Sequence, residues 1–216
     1  ITNYPYLKKI AAKSKPVIVS TGMASMSEIA DAVRVLTENG ITKNQITILH
    51  CNSQYPTPLE DVHLHAMKTI AAEFGVPVGY SDHTLGIEVA VAAVALGATV
   101  IEKHITLDKT MPGPDHKASI EPDELKTMVR LIRQVEIALG GVEKKPTPSE
   151  TTNLIPARKS IHIARDLKSG HVLTEKDLTT KRPGNGISPM KWDEVLGKRI
   201  KTDKKQGDIL LWQDIE

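Results

Sequence analysis

Residues 76–115, VPVGYSDHTLGIEVAVAAVALGATVIEKHITLDKTMPGPD, decide the fold. A short apolar run from Val76 to Tyr80 ends in Ser81-Asp82-His83. An Ala/Val-rich segment without turn residues follows from Ile87 to Leu96, and a second apolar run, Ala98 to Ile101, ends in Glu102-Lys103-His104. The pattern predicts strand, helix, strand. Because the crossover is short and apolar, the two strands are expected to be parallel neighbours with the helix packed on their outer face. Polar residues occur only at the C-terminal end of each strand. In parallel α/β sheets the loops leaving that end converge on one mouth, and chemistry is built there. Adjacent strands lie about 5 Å apart, so His83 and His104 are placed to aim two imidazoles at one cation.

The rest of the first 142 residues repeats the unit. After a helix or turn over Ile1–Lys13, Val17-Ile18-Val19 reads as a buried strand ending in Ser20-Thr21-Gly22. Ser25 with Glu28 forms a capping box opening a helix that carries Ile29, Val33 and Leu36 on one face and stops at Asn39-Gly40. Ile46–Leu49 is a further strand, ending in His50-Cys51-Asn52-Ser53, and a helix from about Val62 to Phe74 returns the chain to residue 76. Pro122 opens a last helix with a stripe of Leu125, Val129, Ile132, Val135 and Leu139, closed by Gly140-Gly141. Four strand–helix units make half of a (β/α)8 barrel, which needs eight units and typically ~250 residues. An open sheet, a fragment, or two halves closing a barrel together all satisfy the pattern.

Residues 143–154 form a polar, Pro-bearing linker, so the expected organisation is 1–142, linker, and 155–216. Beyond the linker Arg158–Ala164 alternates polar and apolar, and short segments follow, including Arg182-Pro-Gly-Asn-Gly186. This predicts a small module of short strands and turns.

Composition excludes several classes. Seven aromatic residues (one Phe, two Trp, four Tyr) are too few for a stacking platform for single-stranded nucleic acid. Lys and Arg outnumber acids 15 to 11 from Glu143 onward, while acids outnumber bases 15 to 13 before it, an imbalance that either favours docking of one part on the other or is ordinary solvated surface charge. A single cysteine, Cys51, allows no internal disulfide and fits a reducing compartment. No apolar run approaches the ~20 residues of a membrane span, and no signal peptide is visible at Ile1. The expectation is a cytoplasmic protein whose natural start lies upstream of Ile1.

The chemistry-bearing residues cluster at strand ends. Neutral imidazole is a common ligand for divalent transition metals, and two protein ligands leave positions open for water and substrate. His83 and His104 are the first candidates, and His50 is a rival. Ser20, Thr21, Ser53 and Ser81 place hydroxyls where backbone amides also hold a phosphate; each could equally be a simple cap. Asp115 lies in the Pro/Gly-stiffened loop over the same mouth. Glu102 and Lys103 face opposite sides beside His104, so at most one shares its surroundings. Arg182 offers a planar fork to a carboxylate or another ligand.

Five motifs in order, His50-Cys-Asn-Ser-Gln-Tyr-Pro-Thr-Pro58, Tyr80-Ser-Asp-His-Thr-Leu85, Glu102-Lys-His104, Met111-Pro-Gly-Pro-Asp115 and Lys181-Arg-Pro-Gly-Asn-Gly186, resemble the sialic acid synthase family. The resemblance spans nearly the whole chain. It implies the C-terminal half of a (β/α)8 TIM barrel followed by an SAF (antifreeze-like) domain. It implies condensation of phosphoenolpyruvate with an N-acetylated mannosamine-type sugar, with a divalent metal, Mn2+ or Mg2+, on His83 and His104. It further implies that Ser81 contacts the donor phosphate, that Tyr55 and Asp115 face the acceptor sugar, and that Arg182 reaches the acetamido group across a swapped dimer. Ser53 departs from the family, where Asn is frequent, and puts one phosphate contact in question. The stretches YSDHTLGIEVA, MPGPDHKAS and GNGISPMKWDEVLG resemble the legionaminic acid branch more than the N-acetylneuraminate branch. Strands one to four of the barrel, with their lysines and a catalytic glutamate, have no counterpart here, so the implied chain is a fragment, inactive alone.

Two other functions compete. One is another phosphoenolpyruvate-dependent 3-deoxy-ulosonate synthase, against which the SAF-like tail counts. The other is a non-catalytic fragment that holds a sugar or associates with an intact subunit; sequence upstream of Ile1 discriminates it from the enzyme.

Overall fold

The computed structural model describes all of residues 1–216, and the chain divides into two units, Ile1–Gly141 and Val142–Glu216. In the first, helix α1 (Tyr4–Ala11) precedes four strands, β1 (Val17–Ser20), β2 (Ile46–Cys51), β3 (Val78–Asp82) and β4 (Ile101–Lys103). Between and after them come α2 (Met26–Glu38), α3 (Ala66–Phe74), α4 (Glu88–Ala95) and α5 (Pro122–Leu139). All strands are parallel, in the order β1-β2-β3-β4, and form the curled half-barrel sheet that the repeat of strand and helix predicts.

Alternation along the strands sorts their side chains. Val17, Val19, Ile46, Ile48, Val78, Tyr80 and Ile101 meet Leu36, Met67, Ile70 and Phe74 in one core on the helix side. The residues between them, among them Ile18, Leu49, Gly79 and Ser81, line the other, inner face. Ile18 on that face is 57% exposed. Leu49 and Gly79 are register partners, and an added Cβ at Gly79 would run into the Val100 carbonyl oxygen and the Leu49 side chain, so only glycine lets β4 approach here.

The strand boundaries shift from those expected. Pro77 has no N–H to give a ladder, and β3 runs on through Ser81 and Asp82 because Glu102 and Lys103 pair with them. Contact between the two segments starts earlier than β4 itself, with Thr99 N donating to Val78 O at 2.8 Å. The Ser25–Glu28 capping box is present, Ser25 N donating to Glu28 Oε2 at 2.8 Å. The stripe on α5 needs correction. Met128 and Ile132 are its buried residues, packing on Ala90 and Val94 of α4, while Val129 and Leu139 are exposed. The true stripe is one position off the expected one at its centre, because α5 packs mainly on Ala90 and Val94 of α4, with Ile101 of the sheet at the edge of the same cluster.

In the second unit two short helices, α6 (Pro148–Thr151) and α7 (Leu154–Ala157), precede the antiparallel pair β5 (Ser160–Ile163) and β6 (Leu178–Lys181); α8 (Trp192–Val195) follows. The alternation read over residues 158–164 suggests a half-wet strand, yet all four residues of β5 are buried. Ser160 Oγ donates to Pro183 O at 2.8 Å and His162 Nδ1 donates to Gly207 O at 2.9 Å, while His162 Nε2 is buried without a partner. Ile161, Ile163, Leu173, Ile200 and Leu210 make the core. Asp177, fully buried, ties the unit together. It accepts from Arg165 Nε at 2.7 Å, His171 Nε2 at 2.9 Å, and the Thr174 N–H and hydroxyl at 2.9 and 2.7 Å. Burial pushes its carboxyl up, and the Thr174, His171 and Arg165 hydrogen bonds outweigh that and hold it well below the usual carboxylate range. No helix is long and apolar enough to cross a membrane.

A depressed folded value means that the stabilisation is complete above the unfolded carboxylate value of about 3.9 and is lost as pH falls toward the folded one. Asp177→Ala, which removes the buried acceptor of four hydrogen bonds and leaves a cavity, is expected to cost the second unit about 2 kcal/mol at pH 7 and to flatten its acid limb. Both tryptophans, Trp192 and Trp212, lie in this unit and report its urea unfolding; equal stability of the two proteins at pH 7 would contradict the role.

Candidate active site

β3 and β4 end in register, Ser81 opposite Glu102 and Asp82 opposite Lys103, so the next residues with inner-face parity are His83 and His104. Their rings stand 5.2 Å apart between centroids at 81°. A metal–nitrogen bond of about 2.1 Å plus roughly 1 Å from nitrogen to ring centre lets two imidazoles at this spacing share one ion. His83 is oriented for it. Its Nδ1 lies 2.7 Å from the carbonyl oxygen of Asn52, which can only accept, so Nδ1 carries the proton and Nε2 keeps its lone pair. No third His, Cys, Asp or Glu of this chain completes a cluster with them.

Tyr55 packs on both rings, its centroid 4.1 Å from that of His104 at 35° and 5.4 Å from that of His83 at 87°. Its hydroxyl donates to Ser119 Oγ at 3.0 Å, and Ser119 Oγ donates in turn to the Asp115 carbonyl at 2.8 Å. Burial pushes the Tyr55 phenol up, so it stays a neutral donor. Asp115 therefore enters the site by its backbone, which anchors the loop, while its exposed carboxylate accepts no hydrogen bond. Ser81 is buried and donates to Glu102 Oε1 at 2.6 Å, so Glu102 rather than Lys103 shares the histidines' face. Ser53 is exposed beside Gly22, at the C-terminal end of β1. Burial pushes the Cys51 thiol up, against a thiolate role.

His50 is not part of this cluster. It is paired with Tyr80 on the helix side of the sheet and its Nε2 donates to Val62 O at 2.8 Å. Arg182 belongs to the second unit, where it is exposed and donates from Nε to Ala157 O at 3.1 Å. Three contributors escaped the reading of the sequence: the Asn52 carbonyl, Ser119, and the buried pair Asp82–Lys103. A backbone carbonyl leaves no mark in a sequence. Ser119 stands inside a motif already singled out, four residues from Asp115, and Asp82 and Lys103 each precede a candidate histidine, so aligning the two strand ends would have set them opposite one another.

Comparison with known proteins now bears on this geometry. The NeuB family profile matches residues 1–144 and the SAF domain profile residues 158–216. N,N'-diacetyllegionaminic acid synthase of Campylobacter jejuni is 51% identical over 97% of this chain and 63% of its own length. The enzyme of that name from Legionella pneumophila is 46% identical over 100% of this chain and 61% of its own. Among solved structures, an N-acetylneuraminic acid (sialic acid) synthetase from Leptospira borgpetersenii, in complex with citrate, aligns at a TM-score of 0.64 with 39% identity, over 70% of this chain and 52% of that one. The fold and the two profiles thus define a curled parallel half-barrel of the NeuB type followed by an SAF domain. The chain belongs to the NeuB family. It spans less than two thirds of the length of these curated relatives.

The hydrogen bond to Asn52 predicts that the neutral His83 ring is protonated on Nδ1. Nitrogen-15 imidazole shifts at alkaline pH are expected to show a bare Nε2, and the opposite tautomer would contradict the geometry.

Proposed function

We propose that this chain is the part of a phosphoenolpyruvate-dependent synthase that carries the acceptor-activating end of the active site. The reaction is condensation of phosphoenolpyruvate with an N-acetylated mannosamine-type sugar to a nine-carbon sugar acid and phosphate. What carries the reading is the pair of imidazoles at the ends of adjacent strands, with the tautomer of His83 fixed and Ser81 and Glu102 one step behind on the same face. The names and identities of the two relatives support the legionaminic branch, hence a 2,4-diacetamido-2,4,6-trideoxymannose acceptor over N-acetylmannosamine.

His83 and His104 would hold a divalent ion, Mn2+ or Mg2+, which supplies a Lewis acid toward the acceptor's aldehyde oxygen. Ser53 at the rim and Ser81, once its hydroxyl swings from Glu102 to the ligand, hold the phosphate of the donor. Tyr55, clamped through Ser119 to Asp115, forms a wall against which the acceptor lies, and Arg182 binds the acetamido group across a swapped dimer. With both substrates so held, C3 of phosphoenolpyruvate bonds to the aldehyde carbon, positive charge develops at C2, water adds there, and phosphate leaves with cleavage of the C–O bond. Much of the gain is positioning, since two substrates are fixed in one orientation.

In the complete enzyme, His104→Ala is expected to lower kcat/KM at least about 1,000-fold, the loss of several kcal/mol of charge stabilisation, together with metal content. Phosphate release from phosphoenolpyruvate with each acceptor measures it; normal turnover with unchanged metal would overturn the ligand role. The 216-residue chain alone is expected to release no phosphate.

A further inference from the structure

We propose that Lys103 and Asp82 are positioning residues for the two imidazoles, a buried cross-strand clamp that sets the spacing of His83 and His104. The inference rests on reading those histidines as the metal-holding pair. Lys103 Nζ and Asp82 Oδ2 are 2.8 Å apart, and their side chains are 3% and 0% exposed. They are the last residues of β3 and β4 in register, and the strands pair over only three positions, Tyr80 with Ile101, Ser81 with Glu102 and Asp82 with Lys103. Each histidine is the residue immediately beyond this last rung.

The hydrogen bonds close around His83 from both sides. Lys103 Nζ donates to Asp82 Oδ2 at 2.8 Å, ahead of it, and to the Thr84 carbonyl at 2.8 Å, behind it. Asp82 Oδ1 accepts from Thr84 N at 2.9 Å and Thr84 Oγ1 at 2.7 Å, closing the loop. One ammonium group, on the residue before His104, therefore holds the residues before and after His83. Alternation along the strands directs the pair to the helix side while the imidazoles face inward, so the clamp acts through the backbone and not on a substrate.

Stability alone does not account for it. A buried ion pair is often no more stabilising than apolar residues of the same volume, and Val or Ile would hold β3 on β4 as well. What an apolar pair lacks is direction. It would let two short strand ends slide, and such a slide moves both rings at once. Positioning partners around metal ligands typically change affinity 10–100-fold when removed.

The test is the double variant Asp82→Asn/Lys103→Met in the full 216-residue chain, which removes both charges and keeps the volume. Two readouts are taken: Co2+ titration followed by its visible absorption, and the nuclear Overhauser effect between the two imidazole rings without metal, with thermal unfolding as the control. The expected result is a Tm within a few degrees of the parent, Co2+ affinity reduced 10–100-fold, and loss of the inter-ring effect. A folded double variant with parental affinity and an unchanged inter-ring effect overturns the clamp. If the parent shows the inter-ring effect but binds no Co2+, the metal reading fails, and the clamp as a device for that site falls with it. If the double variant does not fold, Lys103→Arg, which keeps the charge and alters the reach, is expected to weaken Co2+ binding several-fold at an unchanged Tm, and parental affinity in that variant sinks the proposal.

Discussion

Parallel pairing of β3 with β4 is the constraint on which the rest depends. Side chains alternate with a period of two, so one register decides at once which residues enter the core and which enter the mouth. With Ser81 opposite Glu102 and Asp82 opposite Lys103, Tyr80 and Ile101 face the helices, and the following histidines face inward together. A slip of β4 by one residue against β3 would turn His104 and Lys103 to the opposite faces, parting the two imidazoles and breaking the ion pair together. Gly79 contributes to the same register, since any side chain there would hold the two strands apart.

The second determinant is the loop that leaves β2. It supplies the Asn52 carbonyl that fixes the His83 tautomer and the Tyr55 ring that packs against His104, and Thr57 N donates to the His83 carbonyl at 2.9 Å. Each imidazole is thus held by elements from more than one strand end. Such redundancy suits a site whose work is orientation, because freedom lost in folding need not be lost again when substrates bind.

Much of this was legible in the sequence, and the failures share a physical cause. Apolar runs ending in polar triplets located all four strands, and Ser25 with Glu28 and Asn39-Gly40 bounded α2, because these signals are local. What depends on the neighbour was not. Val129 looked like part of a buried stripe until α5 was found resting on α4, and β5 looked half-wet until Ser160 and His162 were seen to have partners inside. His50 was a rival candidate for the cation until the β2–β3 register turned it toward Tyr80. The buried Lys103–Asp82 pair was hidden for the opposite reason: charged residues read as surface, and only the register shows that they meet.

The central claim is that one ion is shared by two rings on neighbouring strands. Crystals of the chain soaked in Mn2+ and measured near the manganese absorption edge test it directly. The account predicts a single anomalous peak at the mouth of the sheet, within about 2.2 Å of a ring nitrogen of both His83 and His104. A peak held by one ring alone, or one lodged elsewhere while the two rings stand free, would contradict it.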